Sequence, residues 1–219
     1  MAASARTTAE PPADCALCPR LKAFRETNRA AFPDYFNAPA PTFAAPSPSL
    51  LIVGLAPGLH GANKTGRPFT GDYAGDLLYE TLAGFSFSND QYAAAPDDGL
   101  ELIDAAITNA VRCVPPQNKP TASEINTCRP YLKAQIDALP ELRAILCLGL
   151  ISHKSTIAAL GLRQKDAAFS HRARHEIPER PFSLFDSYHC SRYNTNTGRL
   201  TKEMFDAVFA DIRRHLDAA

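Results

Sequence analysis

Residues 50–72 read LLIVGLAPGLHGANKTGRPFTGD, and this stretch decides the fold class. Residues 50–53 form an unbroken apolar run, preceded by Pro-Ser-Pro-Ser and closed by Gly54. A short run without polar alternation reads as a strand buried on both faces, the habit of parallel sheets. Five of the chain's eleven glycines then follow, at 54, 58, 61, 66 and 71. A tight turn needs one or two. This density directly after a buried strand points to a backbone that closely approaches a ligand.

Working outward, similar runs recur at 104–111 (DAAITNAV), 143–149 (RAILCLG) and 183–189 (SLFDSYH). Helical spacing fills the intervals 21–31, 72–83, 121–139, 150–160 and 201–216, with Thr121 and Ser123 before Glu124 as a capped start. This alternation predicts an α/β fold, a three-layer αβα sandwich around a central, mostly parallel four-stranded sheet. Ligands in such sheets bind outside the carboxyl ends of the strands. The loops after Gly54, Asn109, Gly149 and Tyr188 are therefore where chemistry is expected.

The 219 residues fit one domain, predicted over 15–219 after a disordered tail at 1–14. Five prolines between 33 and 48 make that segment an extended connector. Lys plus Arg balance Asp plus Glu at 23 each, which excludes a uniformly basic nucleic-acid coat but not a local basic groove. Charge is unevenly spread: 85–111 carries five carboxylates and no Lys or Arg, whereas 163–180 carries five Lys/Arg. No apolar stretch approaches the ~20 residues of a membrane span, and a cytoplasmic protein is expected.

Gly58 to Thr65 is one substitution from a phosphate-binding loop, but Asn63 replaces the second Gly and Gly66, Pro68 and Gly71 break the helix that should follow. That makes a nucleotide triphosphatase a remote reading. Asn109 at a strand end can offer a base edge both donor and acceptor, or cap its own turn. His189, at another strand end, can donate to a developing anion or shuttle a proton. His153, His171, His175 and His215 have no comparable setting in the sequence. Cys15-x2-Cys18 and Cys113-x14-Cys128 are two pairs able to complete a metal or cluster site, with zinc and iron–sulfur both open. Cys147 lies in an apolar strand, and Cys190 should point away from His189.

Taken together, these pieces resemble the uracil-DNA glycosylase superfamily, in its iron–sulfur-containing type called family 5 or type B. The resemblance spans Cys15 to about Glu203. It rests on Cys15-x2-Cys18-Pro19-Arg20, GLAPG at 54–58, TGRPFTGD at 65–72, TNAVRC at 108–113, and SYH at 187–189 with TGRL at 197–200. Family 4 carries Glu in a GEAPG turn. Leu55-Ala56 stands there instead, which matches type B and leaves the water-activating group open; the resemblance to type B implicates the Asp of the TGD segment, Asp72.

The resemblance implies a set of roles. Cys15, Cys18, Cys113 and Cys128 hold a structural [4Fe–4S] cluster. Phe69 stacks on an extruded uracil, Asn109 reads its Watson–Crick edge, and the backbone of Gly54, Ala56, Pro57, Gly58 and on to His60 lines the pocket. His189 stabilises the departing base anion, and Asp72 orients or deprotonates water, although Asp72 could equally cap the following helix. The 191–198 loop enters the minor groove, Arg192 or Tyr193 filling the vacated space beside Asn194. Lys64, Arg67, Arg172, Arg174 and Arg199 are candidate phosphate contacts. The implied partner is double-stranded DNA bearing uracil or another deaminated base such as hypoxanthine, acted on by a monomer. A catalytically silent iron–sulfur or zinc DNA-binding module is the alternative.

Overall fold

The computed structural model describes residues 9–218. Four strands form the parallel centre: β2 (Leu50–Gly54), β3 (Ala105–Asn109), β4 (Ala144–Leu148) and β6 (Ser183–Ser187). Two short strands absent from the sequence reading, β1 (Phe43–Ala44) and β5 (Arg174–Glu176), add antiparallel edges, so the sheet has six strands in the order β1-β3-β2-β4-β6-β5. Both escaped the pattern because they are two and three residues long and only partly buried. β1 lies within the proline-rich connector.

The pleat of β2 explains its unbroken apolar run. Leu50 and Ile52 enter one core with Leu78, Leu82, Phe205 and Phe209, while Leu51 and Val53 enter the other with Leu132, Ile136 and Ile157. Helices α3 (Tyr73–Gly84) and α7 (Lys202–Asp217) cover the first face; α4 (Ala122–Asp137) and α5 (Leu150–Ala159) cover the second. The predicted start of α4 is realised as a full capping box between Thr121 and Glu124, and the Glu124 carboxylate also accepts from Arg20 on α1 (Pro19–Ala31) at 2.7 Å.

Winding runs from β2 outward to β3, then back across β2 to β4 and β6. That reversal opens a crevice at the carboxyl ends of β2, β3, β4 and β6, where such folds bind ligands. Of the segment expected to be a disordered tail, 9–14 packs on this body. Glu10 accepts from the Thr42 backbone and pairs with Arg112 at 3.1 Å, because a guanidinium buried at 1% exposure requires a counter-charge. The rest of that tail lies outside the described residues. No helix among the described residues is long and apolar enough to cross a membrane.

Candidate active site

Gly54 and Asn109 are register partners at the ends of β2 and β3. A Cβ at Gly54 would lie 2.4 Å from Asn109 Oδ1 and 2.7 Å from the Phe69 ring, so only glycine admits both side chains. Phe69 is buried with φ 56°, a left-handed conformation costly for a bulky residue. Neighbouring contacts over-determine it. The Tyr79 hydroxyl donates to the Pro68 carbonyl at 2.6 Å, Arg67 Nε donates to Thr70 Oγ1 at 2.7 Å, and Gly75 packs so closely that a Cβ there would reach 1.7 Å from Phe69 O. The Phe69 ring faces that of His189, centroids 6.0 Å apart and planes 28° from parallel.

Ala56, Pro57, Gly58, Ala62, Phe69, Asp72, Ala74, Asn109 and His189 line one small cleft. Asp72 takes both of its predicted positions at once. Its Oδ1 accepts from the Gly75 N–H at 3.0 Å as the N-cap of α3, while Oδ2 lies under the glycine-rich loop, where a Cβ at Gly61 would come within 2.8 Å. Burial raises the Asp72 pKa above its usual value, against the lowering effect of those backbone N–H groups. The Asn109 side-chain amide makes no hydrogen bond to another described residue, leaving its donor and acceptor free for a ligand. Burial alone lowers the His189 pKa to about 4, so the imidazole is neutral at pH 7, and its Nδ1 has no partner among the described residues.

A half-buried carboxylate, a neutral imidazole, an unpaired amide and an aromatic face around one cleft suit a flat polar ring and a water-dependent bond cleavage. Sequence comparison decides the family: residues 41–213 match the uracil DNA glycosylase superfamily. The chain belongs to that superfamily. It is 44% identical over 207 residues to a Type-5 uracil-DNA glycosylase of Thermus thermophilus, covering 91% of this chain and 93% of that one. It is 38% identical over 199 residues to a Type-5 uracil-DNA glycosylase of Pyrobaculum aerophilum, covering 89% and 86%. A Type-4 uracil-DNA glycosylase of the same organism matches over 115 residues only, at 40% identity, covering 52% of this chain and 50% of that one.

Several side chains lie elsewhere than the family resemblance implied. His60, given a role through its backbone alone, has an exposed side chain whose Nδ1 lies 3.0 Å from the Tyr35 hydroxyl and whose ring is edge-on to Phe32. Arg67 cannot reach a phosphate. It is buried against the Phe43, Tyr79 and Tyr92 rings and forms a bidentate pair with Asp98 at 2.7 and 2.8 Å. That pair pushes the Asp98 carboxyl well below the usual range. The 191–198 loop contains a short helix, α6 (Arg192–Asn196), capped by Ser191. Asn194 Nδ2 donates inward to the His189 carbonyl at 2.8 Å, so it supports the site and does not face outward. Arg172 and Arg174 are paired with Asp211 and Glu176.

Lys64, Arg192, Tyr193 and Arg199 do remain exposed. Tyr193 is the most exposed large apolar side chain among the described residues at 73%, while Arg192 and Arg199 lie over the Tyr73 and Tyr188 rings.

The four cysteines of the two pairs line a second, separate pocket with Leu21, Val111 and Tyr131. Cys147 and Cys190 are buried outside it. Burial, with a smaller contribution from the neighbouring cysteines, raises the Cys113 thiol to about 12 and the Cys128 thiol to about 11. Two donors point at these sulfurs: Arg25 Nη1 at 3.5 Å from Cys113 Sγ and the Arg112 backbone N–H at 3.4 Å from Cys128 Sγ.

Sequence reading missed Tyr79, Tyr92 and Asp98, which hold the Phe69 loop, because no local pattern ties 92–98 to 65–72. It also missed that His153 and His175 meet at Asp186, a contact made across α5, β5 and β6.

Proposed function

We propose that this chain is a uracil-DNA glycosylase of type 5, hydrolysing the N-glycosidic bond of uracil in double-stranded DNA to leave an abasic site. The observation that carries the reading is the convergence of Asp72, Asn109, His189 and the strained Phe69 on one cleft at the strand ends. A base within a duplex cannot be reached, so the nucleotide must be flipped into that cleft. Phe69 supplies a face for the ring, and the free Asn109 amide supplies one donor and one acceptor for its edge. Bond breakage leaves an anionic base and a cationic sugar. The neutral His189 donates to the anion, an oxyanion-hole role that costs no proton transfer. Ionised Asp72 orients or deprotonates the attacking water. Leu55 leaves the first turn without a carboxylate, which supports wider use on other deaminated bases such as hypoxanthine. The exposed Lys64, Arg192 and Arg199 contact phosphates, with Tyr193 placed to fill the vacated stack. The enzyme acts as a monomer.

Cys15, Cys18, Cys113 and Cys128 would hold a [4Fe–4S] cluster whose contribution is to order the surrounding segments. Four thiols gathered from three segments and N–H donors aimed at sulfur support a cluster at this pocket.

The test is incubation of purified protein with duplexes carrying one uracil or one hypoxanthine, without magnesium, followed by alkali. Breaks at the modified base establish the activity and rank the two substrates. Brown protein that binds these duplexes without base release would overturn it in favour of the silent binding module.

A further inference from the structure

Outside the cleft and the cysteine pocket, His153 on α5, His175 on β5 and Asp186 on β6 gather in the interior. His153 and Asp186 are fully enclosed, and the His175 side chain is 16% exposed. His153 Nδ1 lies 2.7 Å from Asp186 Oδ1, while its Nε2 lies 2.9 Å from the Ala167 carbonyl. His175 Nε2 lies 3.1 Å from the other Asp186 oxygen. Carbonyl and carboxylate oxygens only accept, and a neutral imidazole has a single N–H. With Asp186 as a carboxylate, serving both acceptors takes a proton on each His153 nitrogen, and Asp186 is then its counter-ion. A charge so deeply enclosed persists only when paired and hydrogen-bonded, and here it is both.

The surroundings add no competing charge. Cys147, the register partner of Asp186 on β4, is a thiol held protonated by burial. Arg172 gives Asp186 only a backbone N–H, at 2.8 Å to the carbonyl, its guanidinium being paired with Asp211. The Phe169 ring covers His153 edge-on.

Two routes lead from this trio to His189. Asp186 precedes His189 by three residues on the same strand end. Independently, the His153 N–H donates to the Gly149 carbonyl at 3.1 Å, and the Gly149 N–H donates to the Ser187 carbonyl at 2.8 Å. Gly149 is packed so that an added Cβ would stand 3.4 Å from His189 Cβ. The trio thus fixes both the strand that carries His189 and the helix turn that braces it.

We propose that Asp186, His153 and His175 form a charged positioning network for His189, setting its imidazole within the cleft without touching substrate. The proposal rests on the glycosylase reading above, and its test separates the two. In ¹⁵N-labelled wild-type protein at pH 7.5, the His153 ring should show two slowly exchanging N–H protons. Asp186→Asn should shift the His189 ring resonances and slow single-turnover uracil release on the order of tenfold to a hundredfold, the scale for small misplacements. The decisive readout is a double-mutant cycle. In a His189→Ala background the Asp186→Asn penalty should vanish, whereas a merely structural role would leave it intact.

If Asp186→Asn does not fold, His175→Ala substitutes, with a severalfold loss expected and rescue by His175→Gln, which retains a donor. A single proton on His153, or a penalty that persists without His189, overturns the network. Wild-type protein that releases no uracil overturns the glycosylase reading instead, and the His153 proton count and His189 shifts still decide the network.

Discussion

The cleft and the cysteine pocket are both interior sites that collect groups whose charged forms burial disfavours, yet they are balanced oppositely. In the cleft the protein itself stabilises the ionised form of Asp72 through the Gly75 N–H, and it leaves Asn109 and His189 with unspent hydrogen-bonding capacity. In the cysteine pocket the guanidinium of Arg25 faces Cys113 and one backbone N–H faces Cys128, while burial raises both thiols. The cleft leaves donors and acceptors unused, whereas the cysteine pocket gathers thiols with few donors to meet them. The difference teaches that buried polarity marks function in two distinct ways, by what is left unpaired and by what cannot be paired from within.

The largest expected effect would break the cysteine side of this contrast. Cys113→Ser should yield protein without stoichiometric iron and a Tm lowered by about 10 °C or more, since loss of a resident metal costs several kcal/mol and each shifts Tm by about 2–4 °C at this size. Iron analysis and calorimetry check it, and an iron-free wild type of equal stability would end the cluster proposal.

Next, Asp72→Asn separates cap from catalyst. Asn caps a helix as well as Asp does, so α3 should be retained. The rate should fall on the order of 10²–10⁴. Because burial raises the folded-state pKa, the folded protein binds the Asp72 proton more tightly than the unfolded chain, and ionisation as pH rises lowers stability. The variant should therefore be as stable as wild type or more so at pH 7. The wild-type rate should decline as pH falls into a range above that of an ordinary carboxylate.

Arg67→Ala tests whether the Phe69 loop is held from outside the cleft. Stranding buried Asp98 should cost about 3–5 kcal/mol, measurable by urea unfolding. Phosphate affinity of what remains folded should be unchanged.

His189→Ala should slow single-turnover excision on the order of 10²–10³ with little change in DNA binding. The depressed pKa has a stability signature as well. The unfolded chain binds the His189 proton between its ordinary value near ~6.5 and the folded value of about 4, so wild type loses stability as pH falls through that window. The variant should lack that part of the slope.

The smallest effect is expected from Arg199→Ala: an unaltered Tm and chemical step, weaker binding, and a salt dependence reduced by about one phosphate contact.

The order of elements, the parallel centre and the loops that bear chemistry were legible in the sequence. Buried strands leave unbroken apolar runs, and α/β winding sends their ends to one edge. Cys15, Cys18, Cys113 and Cys128, which gather in one pocket, and Asn109, Asp72 and His189, which gather in one cleft, stood out because their residue type and local spacing constrain their chemistry. What tertiary structure alone decided is which polar side chains are spent. Arg67 and Lys64 look alike in sequence, but Arg67 is consumed by Asp98, 31 positions away, while Lys64 stays exposed. His153 and His175 carry no local signal, and their meaning comes from Asp186, which the fold brings between them. Local pattern records how a segment is solvated; long-range pairing depends on where the chain returns, and no single segment holds that information.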